Sequence, residues 1–241
     1  MKRLLPLTIV SIIYHPMLKD ILFPRFCLGC GFLGSYICLD CQKKLIYLKQ
    51  DKCLYCKKQS PFGLTHENCK KKYGLDNCMS FLYYNDFLKK IIKAVKYRLA
   101  TEVLNDLFLV LKPEEIIKIN FFRKINKEIF IQPVPLHPQK LKERGFNQAH
   151  LLTNFFNSFI YLKTTDDLIR KKTTLAQAQL KKRKERYFNL KGAFKTNRQV
   201  MGKSYILVDD VLTTGITMIE AGKALKKAGA RAVFALSLAK G

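Results

Sequence analysis

Negative charge is scarce in this chain: 18 Asp and Glu stand against 44 Lys and Arg in 241 residues, a formal net charge of +26. A surface so short of acids disfavours cationic partners and favours nucleic acid, phosphates or anionic membrane. Lys-rich surfaces of a basic proteome are the plain alternative. No apolar run is long enough to span a bilayer. The opening "MKRLLPLTIVSIIYHP" has a basic start and an apolar stretch, but it contains Pro6 and no small-residue cleavage site follows. Residues 1–16 are read as an apolar leader, a buried or peripheral helix, with a targeting role or translation from Met17 as the alternatives. GxxxxGK[ST] is absent, which excludes a P-loop. There is no low-complexity linker, and after residue 78 there is no cysteine.

What is present divides the chain into three: the leader, a Cys-rich module over 17–78, and a Cys-free region over 79–241. The cysteines come as CxxC pairs, Cys27 with Cys30, Cys38 with Cys41 and Cys53 with Cys56, followed by His66 and Cys69 in "HENC". A two-residue spacer lets both side chains converge on one metal, and a tetrahedral site needs two such pairs. We expect one or two zinc ions, with neighbouring pairs sharing a metal and Cys78 as a possible substitute for His66. Four ligands per ion leave no open position, so the expected role is scaffolding. A redox CxxC, which needs one motif at a helix start, and buried free cysteines are the competing readings.

From 79 onward, apolar strands alternate with helical periodicity, which predicts an α/β domain. Residues 87–112 carry an apolar stripe suited to two helices. Residues 129–138 read as a strand stopped by Pro133, Pro135 and Pro138, and a helix follows over 147–159. Near the end, 205–211 predicts a buried strand, 217–228 a helix stopped by Gly229, and "RAVFALSLAK" a parallel strand.

The string "ILVDDVLTTGIT" delivers Asp209 and Asp210 to the C-terminal edge of a strand, where open α/β sheets bind ligands. Adjacent strand residues face opposite ways, so the two acids cannot form one clamp. One can accept hydrogen bonds from a ribose diol while the other meets a basic neighbour. The turn that follows, rich in threonine and backbone N–H groups, makes an anion site suited to a phosphate monoester. An acidic turn capping a helix and a phosphatase with an Asp nucleophile are the alternatives.

This string resembles the phosphoribosyl pyrophosphate (PRPP) motif of type I phosphoribosyltransferases. The order of "MLKDILFPRFCLGCG", "VPLHPQKLKERGFNQ", "RKKTTLAQAQLKKRKERYFNLKGAF" and the motif itself resembles the ComF family of competence proteins over residues 17–241. The resemblance implies a type I phosphoribosyltransferase-like parallel sheet flanked by helices, with a small N-terminal zinc-binding module. It places ribose contacts on Asp209 and Asp210, the 5′-phosphate on the turn Thr213, Thr214, Gly215, Ile216 and Thr217, and adds Val211 and Leu212 to the PRPP-binding segment. Pyrophosphate falls to Pro135, Leu136 and His137 with Arg144 nearby, and Mg²⁺ accompanies the PRPP. No nucleobase hood or general base is evident.

A basic segment precedes the motif. Arg170, Lys171, Lys172, Lys181, Lys182, Arg183, Lys184, Arg186, Lys191, Lys195 and Arg198, interrupted by Tyr187, Phe188 and Phe194, suit a single strand, whose phosphates meet cations and whose bases stack on rings. A solvated helix face or a lid over the ligand site is the alternative. With the resemblance, the first reading is a cytoplasmic PRPP-binding zinc protein that handles incoming single-stranded DNA in natural transformation. DNA-uptake machinery at the inner membrane is its expected neighbour. An active phosphoribosyltransferase acting on a base or amine, and a zinc-finger adaptor with a vestigial site, are the other readings.

Overall fold

The computed structural model describes residues 23–96, 100–125, 128–172 and 183–241; the leader, Met17, Lys181 and Lys182 lie outside them. Strand β1 is Asn77–Tyr83, followed by helices α1 (Asp86–Val95) and α2 (Ala100–Val110). Strand β2 (Ile129–Pro133) leads to α3 (Pro138–Arg144) and α4 (Gln148–Ile160), then to the short strands β3 (Lys163–Thr164) and β4 (Leu168–Arg170). After them come α5 (Arg183–Leu190), β5 (Phe194–Thr196), β6 (Ser204–Leu212), α6 (Ile216–Lys227) and β7 (Ala232–Lys240).

Five strands form one parallel sheet in the order β1-β7-β6-β2-β3. A separate antiparallel pair joins β4 to β5. In the large sheet the chain runs outward from β2 to β3, then returns to β6 and continues the other way to β7. The reversal leaves a crevice beyond the C-terminal ends of β2 and β6, where such sheets take ligands.

Alternation along β6 decides which core each residue joins. Ile206 and Val208 pack with Leu152, Phe156 and Ile160 of α4 and with the apolar faces of α1 and α2. Tyr205 and Leu207 pack on the opposite face with Ala221 and Leu225 of α6. β6 is buried on both faces, which is why it reads as a continuous apolar run.

Pro133 belongs to β2, one residue further than a proline-stopped strand suggests. Val134 N donates to Val208 O at 2.9 Å and Ile131 O accepts from Thr165 N at 3.0 Å, so residue 133 faces the β3 side of its strand. β3 ends at Thr164, paired with Ile131. The N–H that proline lacks would therefore point where no partner strand continues.

The Cys-rich region is not a free-standing appendage. Cys27, Tyr36, Ile37, Cys41 and Leu45 share a core with α1 and α2, while Leu54 and Leu75 join the core beneath α6. Asp106 of α2 accepts the Tyr36 N–H at 2.7 Å and lies 3.7 Å from Arg25. β1 starts at Asn77, so the boundary expected at 78 falls inside the strand. At Gly29 a Cβ would stand 2.6 Å from Cys41 Sγ and 2.8 Å from Phe87 Cε2, so only glycine lets this loop close on the sheet domain. We expect Gly29→Ala to lose about 1–3 kcal/mol through overpacking, read as a lower urea midpoint; an unchanged midpoint would contradict the contact.

Candidate functional site

Val134 N–H bonded to Val208 O sets the chain after β2 level with the acids that end β6. By the alternation of β6, Asp210 follows Ile206 and Val208 toward the α1 face, and Asp209 follows Tyr205 and Leu207 toward the α6 face. Each acid also closes onto the next backbone N–H: Asp209 Oδ1 accepts from Asp210 N at 2.9 Å, and Asp210 Oδ1 from Val211 N at 2.8 Å.

Different cations meet the two acids. Lys96, at the C-terminal end of α1, reaches Asp210 with Nζ 2.8 Å from Oδ2. Burial works against the Lys96 ammonium, but the Asp210 carboxylate outweighs it and raises its pKa. Arg170 of β4 approaches Asp209 from the other face; burial lowers its pKa and Asp209 opposes that. Its guanidinium lies 5.5 Å from the Phe194 ring centre. Burial first, then the Asp210 charge, pushes the Asp209 carboxyl up to about 7, while Lys96 and Arg170 pull it back. Lys140 of α3 belongs to the same field: burial, then Arg170 and Arg144, lower its pKa. Four cations from three elements therefore share one field with the two carboxylates at the mouth of the crevice.

The turn after β6 leads directly into α6. Thr213 is exposed, and Thr214 and Thr217 are partly so. Gly215 holds φ 75°, the left-handed region that costs other residues, and a Cβ there would stand 3.0 Å from Leu54 Cδ1. Val211 and Ile216 flank the turn, while Leu212 is buried beneath it. On the β2 side, Pro135, Leu136 and His137 form a half-buried loop. His137 Nδ1 accepts the Gln139 N–H at 3.3 Å. Asn147 pins this loop, donating to Val134 O at 3.0 Å while it caps α4 by accepting from Ala149 N at 3.1 Å. Arg144 donates to Gln148 Oε1 at 2.7 Å. The residues expected to grip ribose, phosphate and pyrophosphate thus lie at the ends of two adjacent strands.

Sequence reasoning missed Lys96 and Lys140. A basic residue closing an amphipathic helix is ordinary, and only the fold brings Lys96 to Asp210. Arg170, expected among strand-binding cations, is half-buried and within electrostatic reach of Asp209. Lys171, Lys172 and Lys184 are exposed, and Arg183 and Arg186 have their backbones in α5.

Two donor groups could each hold a metal ion: Cys27, Cys30, Cys38 and Cys41; and Cys53, Cys56, His66 and Cys69. Within each, all donor atoms lie within 4.8 Å of one another. Cys30 and Cys38 sulfurs are 3.6 Å apart, and Cys56 Sγ is 3.2 Å from His66 Nδ1. Tetrahedral Zn–S bonds of about 2.3 Å would separate sulfurs by roughly 3.8 Å, so the donors fit such an ion. Burial opposes the Cys27 thiolate, but N–H groups of Cys38 and Gly29 bring its pKa down to about 6; Cys53 reaches about 6 in the same way, through Cys56, His66 and Tyr55. Cys41 goes the other way, to about 12, through burial and then its neighbouring cysteines. Cys78 is corrected as a ligand candidate. It lies in β1 outside both groups, packed with Leu54 and Leu75, and burial pushes its thiol up to about 12.

The phosphoribosyl transferase domain family matches residues 163–241. The competence protein ComFC of Bacillus subtilis is 28% identical over 206 residues, 80% of this chain and 79% of that one. The ComFC of Streptococcus pneumoniae is also 28% identical, over 207 residues, 85% of this chain and 87% of that one. The chain is similar to the ComF competence proteins over most of its length. A further relative is the DNA utilization protein YhgH of Escherichia coli, 33% identical over 103 residues, 43% of this chain and 45% of that one. The parallel sheet, its flanking helices and the matched domain make the C-terminal region phosphoribosyltransferase-like. Among the described residues no helix is long and apolar enough to cross a membrane.

Because Asp210 raises the Asp209 carboxyl and Lys96 lowers it, Lys96→Met should move that titration above about 7 and Asp210→Asn should move it down. Carboxyl-carbon NMR would read both shifts; a titration unmoved by either variant would contradict this electrostatic arrangement.

Proposed function

We propose that this ComF-like chain binds PRPP with Mg²⁺ in the crevice between β2 and β6, carries two structural zinc ions, and handles single-stranded DNA in the cytoplasm during natural transformation. The observation that carries the ligand reading is the convergence at one crevice of Asp209 and Asp210 with Lys96, Lys140, Arg144 and Arg170. A sugar bearing both a diol and phosphates needs acceptors and cations side by side.

In this reading Asp209 and Asp210 accept from the ribose hydroxyls; a carboxylate oxygen can take more than one donor, so their present partners need not leave. The N–H groups of 213–217, at the start of the twelve-residue α6, take the 5′-phosphate. Pro135, Leu136 and His137 present the neighbouring loop to the pyrophosphate, with Arg144 and Lys140 supplying charge. Mg²⁺, held mostly by ligand oxygens, would neutralise charge between diol and pyrophosphate.

The same charges favour a second reading, transfer of the phosphoribosyl group to a nucleobase or amine. Negative charge on departing pyrophosphate would build beside Arg144 and Lys140, and positive charge at the ribosyl carbon beside Asp209. Pyrophosphate release in the presence of a panel of bases and amines distinguishes a transferase from a binder.

The DNA role draws on the names of the relatives, competence protein and DNA utilization protein, and on the net charge of +26. Reduced cysteines in two metal groups suit the cytoplasm, and DNA-uptake machinery at the inner membrane would be the adjoining partner.

Calorimetry with Mg²⁺ and PRPP should show saturable binding that is lost in the Asp209→Ala, Asp210→Ala double variant at unchanged melting temperature; wild-type affinity in that variant would sink the site assignment. Affinity should also rise as pH climbs through about 7, because the Asp209 carboxyl ionises there and a carboxylate accepts from both hydroxyls of a diol more strongly than the protonated acid. Asp209→Asn should remove that step, separating it from ionisation of the phosphates. For the metals, elemental analysis should find two zinc ions per chain, one in Cys53→Ser, and still two in Cys78→Ser; a loss in Cys78→Ser would overturn the ligand sets.

A further inference from the structure

Beside the crevice, along the outer flank of α6, lies a cavity of about 630 Å³. Ile216 and Ile219 of α6 form its apolar floor. Three tyrosines from three separate segments line it: Tyr55 between two ligands of the second metal group, Tyr73 from the loop before β1, and Tyr187 from α5. Lys71, Lys72, Lys184 and Lys223 line it as well. Glu220 is the lining acid, and its charge is engaged: Oε2 accepts Gly192 N–H at 3.1 Å and Oε1 lies 3.8 Å from Lys223 Nζ.

Two of these lysines, and Lys227 of α6 outside the cavity lining, rest on the rings. Lys71 Nζ is 5.3 Å from the Tyr55 ring centre, and Lys72 and Lys227 are 5.5 and 5.7 Å from that of Tyr73. Such contacts are worth about 0.5–1 kcal/mol where exposed. A planar group sliding onto a ring would free these ammonium groups to meet an attached anion at little cost. Rings for a base and cations for its phosphate are the two components of single-strand recognition. The volume falls within the roughly 300–1,000 Å³ of sites that hold one small ligand. A duplex would have to unstack a base to enter, and an acidic peptide would leave the rings without a partner.

We propose that this cavity seats one base and its phosphate from a single-stranded nucleic acid. The proposal rests on the DNA-handling reading and locates the seat. That seat is assembled from the second metal group's own loop, from α5 and from α6, the helix whose first turn faces the sugar-phosphate crevice. The basic segment read from the sequence contributes through Lys184 and Tyr187, but half of the seat comes from the Cys-rich region.

The test uses the full chain and a fluorescein-labelled dT₁₂ followed by anisotropy. Tyr55 is left intact because its hydroxyl accepts the Leu75 N–H at 2.9 Å and so supports the fold. Tyr73→Ala with Tyr187→Ala should weaken binding at least about tenfold, and the corresponding phenylalanines should restore it. Lys71→Ala with Lys184→Ala, both exposed, should weaken binding and flatten its salt dependence even if the tyrosine variant folds poorly. Free dTMP should compete at least tenfold less well than unlabelled dT₁₂, and poly-glutamate of matched charge should compete poorly. Salt-sensitive wild-type binding left unchanged by both double variants would overturn the seat while the DNA reading stands. No wild-type binding would sink both. Equal competition by dTMP would overturn the strand as occupant, and equal competition by poly-glutamate would reduce the cavity to bare charge.

Discussion

Successive side chains of a strand leave on opposite faces, and at the end of β6 this rule places two adjacent carboxylates in two different environments. Asp210 turns toward α1 and meets Lys96. Asp209 turns toward α6 and Arg170, where burial and its neighbour's charge push its pKa up to about 7. Everything else at the crevice is arranged around that split. The β2 loop comes level with the acids because Val134 N–H bonds to Val208 O, and only three residues separate the end of β6 from the start of α6. A crevice with cations on both sides of two acids can hold a ligand that carries hydroxyls at its centre and phosphates at its ends.

The two candidate metal-binding groups pack against the two faces of the sheet. The first packs through Cys27, Tyr36 and Cys41 into the core shared by α1 and α2, the side from which Lys96 arrives. The second places Leu54, next to Cys53, against Gly215 in the turn that opens α6. Closed tetrahedral sites do no chemistry of their own. With metal bound as proposed, their effect would be mechanical: they would order loops that press on elements carrying the site.

Local patterns were legible in the sequence because their partners are close along the chain. CxxC pairs, the apolar run of β6, the Thr-Gly turn and the helix after it can be read within a window of some twenty residues. Lys96, Lys140 and Arg170 could not be read this way, since each sits in an unremarkable basic stretch and acquires its role only when the sheet brings distant elements to one edge. Cys78 misled for the opposite reason: it follows a run of metal-ligand spacings, yet the strand that contains it turns its thiol into the core. Pro133 likewise suggested a strand end, and only the short reach of β3 explains why the ladder tolerates it there. The cavity formed by Tyr55, Tyr73 and Tyr187 joins three segments that nothing in the linear order connects.

The central claim is that one ligand is held at once by the end of β2 and the end of β6. Backbone hydrogen exchange of the full chain, with and without Mg²⁺ and PRPP, tests it most directly. The account predicts that amides of 136–137 and of 213–217 become protected together and with the same ligand dependence. Protection confined to one loop, or absent from both at saturating ligand, would contradict it.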